Sequence, residues 1–322
     1  MIHVRLVAPP DLTARLTSYL TSDSGVMNLT VFEGRTRKPE GDAVQFDVLQ
    51  GRANEVIARL REFGVDERGS IILEPLATVI SSPARASEGR RSRFDEFAPV
   101  WEEVDSRIRS NGRFPPSWYS LLVIAGLIAA VGLLTNSQIL IVGAMVVGPE
   151  YGAIVALAYG ATRRDTRLVR TSGQALIVGF ALAVVAALLL GLVVRGAGLE
   201  TRAFQLGVRP VSSLINAPDW FSFIVALLAG VVGVISLTEA RTSTLIGVFI
   251  SVTTIPAAAD MGVSLAFGSN QEALGSLEQL LLNVFVLAAV AVAGIPSQRR
   301  LWSRVTRPPT AAQAVHPPGS DG

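Results

Sequence analysis

The feature that most constrains this chain is a long central stretch with almost no charge. Only 16 Asp, Glu, Lys and Arg side chains lie in the 178 residues from 118 to 295, whereas residues 1–117 carry 33. About 20 apolar residues suffice to cross a bilayer core. A mean hydropathy of +0.45 also argues against an ordinary soluble enzyme. We therefore predict a polytopic α-helical membrane protein with a water-soluble domain before it.

Six windows in the central stretch have the length and apolarity of membrane spans. They are 118–135, 138–161, 172–195, 219–238, 243–268 and 276–295. Arginine collects on the cytoplasmic side of spans. Arginines are concentrated in every second connection between spans: seven lie in 85–113, four in 162–171 and four after the last span. They are thinly spread along the connection 196–218. We expect both termini in the cytoplasm and 196–218 on the opposite side.

Two windows contain a proline close to an acid. Pro149 precedes Glu150 in the second window, and Pro256 lies four residues before Asp260 in the fifth. Proline removes a backbone N–H and clashes with the preceding helical turn. Each helix is therefore predicted to kink or break at its proline.

The two broken windows occupy equivalent places in the chain. Each is the second span of a group of three, and Leu-Ala-Tyr-Gly at 157–160 is echoed by Leu-Ala-Phe-Gly at 265–268. A unit with three spans, an odd number, ends on the side of the membrane opposite to its start. A second copy of the unit therefore has the inverted topology. Residues 118–195 and 219–295 are thus predicted to form an inverted repeat, with a binding site between the broken helices.

The polar residues near the prolines are candidates for that site. A carboxylate at this depth costs about 2.5–3.5 kcal/mol on insertion scales, so it is a functional hypothesis by default. Without a basic partner it would be protonated, hydrated or bound to a cation. The candidates for a substrate or ion path are Pro149, Glu150, Thr253, Thr254, Pro256, Asp260 and Asn283.

Each candidate also has a structural alternative. A proline kink can serve packing alone, and threonine hydroxyls commonly bond carbonyls of their own helix. Asn283 could join two helices by hydrogen bonds. Asp260 could lie near the outer interface, where a charge costs little.

The composition argues against several classes of function. The chain has no cysteine and two histidines, His3 and His316, near opposite ends. We expect no thiol nucleophile, metal site or cofactor, and no enzymatic activity. A formal charge of +2 does not indicate a nucleic-acid partner.

Residues 1–80 show the pattern of a small α+β domain in the cytoplasm. Apolar residues alternate in the strands and recur every three or four positions in the helices. The predicted elements are strand 2–8, helix 11–21, strands 26–32 and 43–50, helix 53–63 and strand 70–75. The order βαββαβ is that of a ferredoxin-like domain. The fold does not name its function.

An arginine-rich linker, 81–117, and a tail, 296–322, complete the chain. An apolar face in the linker predicts an amphipathic helix, which Pro99 kinks or starts; the face consists of Phe94, Phe97, Trp101, Val104 and Ile108. This helix could lie on anionic lipids or be a connector that packs on the soluble domain or a neighbouring subunit. The proline-containing tail is expected to be disordered.

The stretch from Gly143 to Gly152, GAMVVGPEYG, resembles the hallmark of the bacterial family called domain of unknown function 389, or uncharacterised hydrophobic domain. Pro256 and Asn283 are similar to its later proline and asparagine, so the resemblance covers 118–295. The hallmark usually reads Ser-Pro-Leu-Met-Gly-Pro, and this chain departs from it at Gly148, Glu150, Tyr151 and Ala153. The resemblance implies a six-span region with a small soluble domain in a bacterial inner membrane, and it implies no activity.

Two functions are consistent with these patterns. The first is a transporter or channel-like permease for a small solute or ion, whose cytoplasmic domain regulates or assembles it. The second is a membrane-anchored sensor or scaffold, in which the soluble domain binds a ligand or partner. In either case we expect the protein to form a homo-oligomer in the lipid bilayer.

Overall fold

The computed structural model of the protein describes residues 1–76, 98–201, 209–238 and 253–305. The chain divides into two compact units. The first is Met1–Glu103 with residues 298–322, and the second is Val104–Ser297. Most of the predicted linker and the predicted disordered tail from 306 onward lie outside the described residues.

The N-terminal unit is built around a four-stranded antiparallel sheet in the order β2-β3-β1-β4. Its elements are β1 (Ile2–Ala8), α1 (Pro10–Ser22), β2 (Val26–Arg37), β3 (Glu40–Val48), α2 (Gln50–Glu62), α3 (Val65–Arg68) and β4 (Ser70–Pro75). The predicted βαββαβ succession is present, with the short α3 added. β2 continues past the predicted end at residue 32, because Thr36 and Arg37 still pair with the start of β3.

Strand alternation builds the core of this unit as predicted. Val44, Phe46 and Val48 of β3 are fully buried. They pack with the apolar faces of β1 and both long helices, which supply Ile2, Val4, Leu6, Leu16, Leu20, Val56, Ile57 and Leu60. Burying each side chain of this size stabilises the folded state by about 1.5–3 kcal/mol. The shared core therefore stabilises the sheet and its two long helices together.

The end of the linker belongs to the same unit. Asn54 donates a hydrogen bond to the carbonyl of Pro99 (2.9 Å) and accepts one from the N–H of Trp101 (3.0 Å), while Val100 joins the core. The predicted amphipathic helix begins here as α4 (Trp101–Asn111). Its residues Trp101, Val104 and Ile108 are buried; Phe94 and Phe97 lie outside the described residues. This packing supports the connector interpretation, and contact with anionic lipids stays a prediction.

The second unit is helical. Its helices after α4 are α5 (Pro116–Leu134), α6 (Gln138–Val147), α7 (Glu150–Arg163), α8 (Thr166–Ala197), α9 (Pro210–Ile215), α10 (Trp220–Thr238), α11 (Thr254–Ala266) and α12 (Asn270–Val305). Among the described residues, α5, α8, α10 and α12 are long and apolar enough to cross a membrane, and α6 with α7 makes a fifth span if the bent pair counts as one. These apolar helices indicate a membrane protein. The sixth span stays a prediction, because 239–252 are outside the described residues.

Small residues allow the helices to approach closely. A Cβ atom at Gly262 of α11 would collide with the carbonyl oxygen of Val184 in α8. On α5, a Cβ at Gly126 would lie 3.0 Å from the Cβ of Ala183. Close packing of this kind holds helices together where lipid provides no hydrophobic driving force.

The predicted break at Pro149 is confirmed, whereas the break at Pro256 stays a prediction because residues 239–252 lie outside the described residues. α6 ends at Val147, α7 begins at Glu150, and the two helix axes differ by 47°. Pro256 is instead the third residue of α11, in the first turn, where the missing N–H would have no helical partner. The helix start at Thr254 therefore precedes the proline.

Candidate functional site

The start of α7 meets the start of α11 inside the helical unit. Glu150 is the first residue of α7 and Thr254 is the first residue of α11. The Thr254 hydroxyl donates a hydrogen bond of 2.6 Å to Oε1 of Glu150. Thr254 is 1% exposed and Glu150 is 6% exposed, so water is excluded from this contact. Two predicted site residues, 104 positions apart, are thus in direct contact.

The other oxygen of Glu150 lies at the end of α6. A Cβ atom at Gly148 would overlap Oε2 of Glu150 and crowd the side chain of Ile255. Gly148 is the C-cap of α6, and its N–H donates to the carbonyl of Ala144 (3.2 Å). A side chain at 148 would therefore displace the carboxylate from its present position. Oε2 itself is buried and has no hydrogen-bond partner.

Pro149 is held through its carbonyl. The indole Nε1 of Trp118 donates a hydrogen bond of 3.3 Å to the oxygen of Pro149. Trp118 is the third residue of α5 and is buried against neighbouring helices. The α6 segment before the break has ten residues and is about 15 Å long, half the thickness of a bilayer core.

A second polar contact joins Thr253 to α12. The Thr253 hydroxyl accepts hydrogen bonds from Nδ2 of Asn283 (3.1 Å) and Nε2 of Gln279 (3.4 Å). The structural alternative for Asn283, a link between two helices, is therefore observed. Among the described residues, the hydroxyls of Thr253 and Thr254 both bond side chains of other segments.

Asp260 occupies a separate site further along α11. Its carboxylate accepts hydrogen bonds of 2.6 Å from Ser212 of α9 and from Ser276 of α12. Asn216 donates in turn to the Ser212 hydroxyl at 3.3 Å. Asp260 is 1% exposed and is therefore buried within the protein, while its depth in the membrane stays a prediction.

An ion pair lies at the end of the same helix. Arg209 donates to Glu272 at 2.8 Å, and its guanidinium lies 5.8 Å from the ring centre of Phe267. Ser264 of α11 also contacts Glu272, at 3.5 Å. Arg209 thus forms an ion pair with Glu272 beside these polar clusters.

These contacts form a ladder between α11 and α12. Thr253, Asp260 and Ser264 face Asn283, Ser276 and Glu272, respectively, and both series have spacings of seven and four residues. Such spacings keep each series on one helical face. Gln279 completes the stripe on α12.

The sequence analysis missed several members of these clusters, namely Ser212, Glu272, Ser276 and Gln279. The spacing of 272, 276, 279 and 283 marks one face of a helix and could have identified three of them. Nothing in the sequence brings Ser212 near Asp260, since that contact depends on the position of α9.

The clusters present mainly oxygen acceptors and hydroxyl groups. Within the described ranges, no three His, Cys, Asp or Glu side chains come close enough to hold a metal ion together. The arrangement can bind small polar or cationic groups.

Comparison with known proteins agrees with the resemblance seen in the sequence. The model of the family described as Domain of unknown function (DUF389) matches residues 145–289. The chain is also 21% identical over 243 residues to the Uncharacterized protein MJ0678 of Methanocaldococcus jannaschii, an alignment covering 74% of this chain and 71% of that protein. No solved structure matches. Over residues 145–289 the chain is therefore similar to the family of the domain of unknown function 389.

Proposed function

We propose that the protein is a transporter or channel-like permease for a small solute or ion. The observation that carries the proposal is the buried contact between Glu150 and Thr254, where two helices begin inside an apolar bundle. Helix starts bring free N–H groups and the positive end of the helix dipole. In secondary transporters, discontinuous helices form the substrate site in this way.

The inverted repeat is part of the proposal. The repeated sequence at 157–160 lies near the end of α7, and its counterpart at 265–268 coincides with the end of α11. Both follow a helix start that contributes to the Glu150–Thr254 contact. This correspondence supports equivalent positions for α7 and α11 in two repeated units of three spans each.

The membrane orientation follows from the arginine distribution. We place the protein in the bacterial inner membrane. Both termini then lie in the cytoplasm, and the residues around α9 lie on the outer side. In this orientation the Arg209–Glu272 pair lies at the outer end of the ladder, and Glu150 lies near its inner end.

A flux measurement on proteoliposomes tests the proposal. Purified protein is reconstituted, and efflux of a panel of ions and small solutes is compared with empty vesicles. Glu150→Gln should abolish the flux, whereas Glu278→Gln, the same substitution on an exposed face of α12, should leave it unchanged. If no solute crosses faster than in empty vesicles, the permease proposal fails.

A groove in the N-terminal unit favours a second function, a membrane-anchored sensor. The groove has a volume of about 780 Å³. Its lining is rich in hydroxyl and carboxylate groups, from Thr13, Thr17, Ser18, Thr21, Ser22, Glu33 and Asp42. A screen of metabolites by thermal shift on the full chain tests this function. A stabilising ligand whose effect is lost in Ser18→Trp would support it.

A further inference from the structure

Two buried oxygen acceptors beside the start of α11 have no donor. Oε2 of Glu150 and Oε1 of Gln279 are both inaccessible to solvent, and neither accepts a hydrogen bond from the part of the chain that the structure describes. Their residues are 6% and 3% exposed, and they contact Thr254 and Thr253, which are adjacent in the chain. Leaving a buried acceptor unsatisfied costs about 1–3 kcal/mol. Because Oε2 belongs to a carboxylate, its lack of a donor indicates a ligand that supplies positive charge.

The two oxygens of Glu150 lie in opposite electrostatic environments. Oε1 lies at the start of α11, the positive end of that helix, and is satisfied by Thr254. Oε2 lies against Gly148, at the C-terminal end of α6, where the last carbonyls lack helical donors and the dipole is negative. The start of α7 at Glu150 favours an ionised carboxylate, and a cation beside Oε2 would also be stabilised by the negative end of α6.

The charge balance specifies the class of cation. Within the residues that the structure describes, Glu150 forms no ion pair with lysine or arginine. One carboxylate balances one positive charge, whereas divalent ions are usually held by several carboxylates. A proton on Oε2 is the competing occupant, and it would make stability follow pH where a metal cation would make it follow the concentration of Na⁺ or K⁺.

We propose that Oε2 of Glu150 and the carbonyl end of α6 bind a monovalent metal cation, with Na⁺ as the first candidate. The inference rests on the proposed function in one respect: in a permease, this cation would be the coupling or transported ion. Binding itself can be measured without transport, so the two proposals can fail separately.

The experiment uses the purified full-length protein in detergent at constant pH and ionic strength. NaCl or KCl replaces choline chloride, and the unfolding temperature is recorded. A ligand that binds only the folded state stabilises it as its concentration exceeds the Kd. We expect a saturable upward shift with Na⁺ or K⁺ in the wild type and in Glu278→Gln. We expect the shift to be lost in Glu150→Gln.

A second variant guards against a folding defect in Glu150→Gln. Gly148→Ala places a methyl group where Oε2 lies, so it should also lose the cation-dependent shift. In choline, a sharp unfolding transition shows that each variant is folded. Equilibrium binding of radioactive Na⁺ to the wild type gives a second readout, with choline-saturated protein as the blank.

The outcomes separate the two proposals. The absence of any Na⁺ or K⁺ effect in the wild type overturns the cation site, even if proteoliposomes show flux. A shift retained in Glu150→Gln, or stability that follows pH and no metal cation, also overturns it. A cation shift that depends on Glu150 supports the site, even where no solute is transported and the permease proposal fails.

Discussion

Ser276 donates a hydrogen bond of 2.6 Å to Asp260 across the interface of α12 and α11, and both side chains are almost completely buried. Ser212 satisfies the second oxygen of Asp260 at the same distance. Asp260 therefore has two hydroxyl donors, whereas Glu150 has one and retains a free oxygen. The two buried acids are not equivalent, and we expect their variants to behave differently.

Asp260 should be mainly important for stability. Asp260→Ala removes the acceptor for two buried hydroxyls and opens the junction of three helices, so we expect a loss of about 2–5 kcal/mol in unfolding free energy. Asp260→Asn keeps the shape and one acceptor, and should cost less. Thermal unfolding in detergent measures both. Equal stability of Asp260→Ala and the wild type would contradict this role.

The approach of α11 to α8 gives a prediction about glycine. Gly262→Ala forces a methyl group onto the carbonyl oxygen of Val184, a backbone atom that cannot rotate away. Overpacking of this kind typically costs about 1–3 kcal/mol. The control is Gly143→Ala in α6, where a Cβ meets nothing within 4 Å.

Gly143→Ala should be neutral or stabilising by up to about 1 kcal/mol, because alanine favours the helix. Unfolding temperatures of the two variants in the same detergent make the comparison. If Gly262→Ala is as stable as Gly143→Ala, the helices are further apart than the structure has them.

The contrast between local and distant effects explains what the sequence could predict. Proline acts on its own helix, so the break at Pro149 was predictable from the residue alone. Pro256 has the same local chemistry, yet its effect depends on where the helix begins. That start is at Thr254, where the hydroxyl bonds Glu150, a residue 104 positions away that the sequence does not place nearby.

The N-terminal unit shows the same distinction. Alternating apolar residues identified β3, because one face of the strand is buried as a whole. The extension of β2 to Arg37 was missed, because residues 33–37 are mostly exposed and polar and pair through the backbone. Pairing of exposed strands leaves little trace in hydropathy.

Asp42 should make the stability of the N-terminal unit depend on acid pH. The Thr13 hydroxyl and the N–H of Gly34, each at 2.6 Å, hold the pKa of Asp42 below its ordinary value. A carboxyl whose pKa is lower in the folded state stabilises the fold above its unfolded pKa, about 3.9, and this contribution is lost as pH falls through the folded value.

Hydrogen exchange of the β2–β3 amides in the full chain, between pH 6 and pH 3, measures this effect. Protection should decrease below about pH 4. In Asp42→Asn it should already be lower at pH 6 and change less with acid. Thr13→Val should cost about 1–2 kcal/mol at neutral pH, because it removes a hydrogen bond to a charged group. An unchanged acid dependence in Asp42→Asn would assign the effect to other carboxylates.

The last prediction concerns membrane orientation, and the absence of native cysteine makes it direct to test. Single cysteines at Ser110 in α4, Ser213 in α9 and Ser303 near the end of α12 occupy exposed positions. Arginines flank the helix ends near 110 and 303, so these positions should face the cytoplasm. In intact cells a membrane-impermeant maleimide should label Ser213→Cys and leave the other two unlabelled. Opening the cells should reveal Ser110→Cys and Ser303→Cys. Labelling of Ser213→Cys only after opening would reverse the orientation, and would place the Arg209–Glu272 pair at the cytoplasmic end of the ladder.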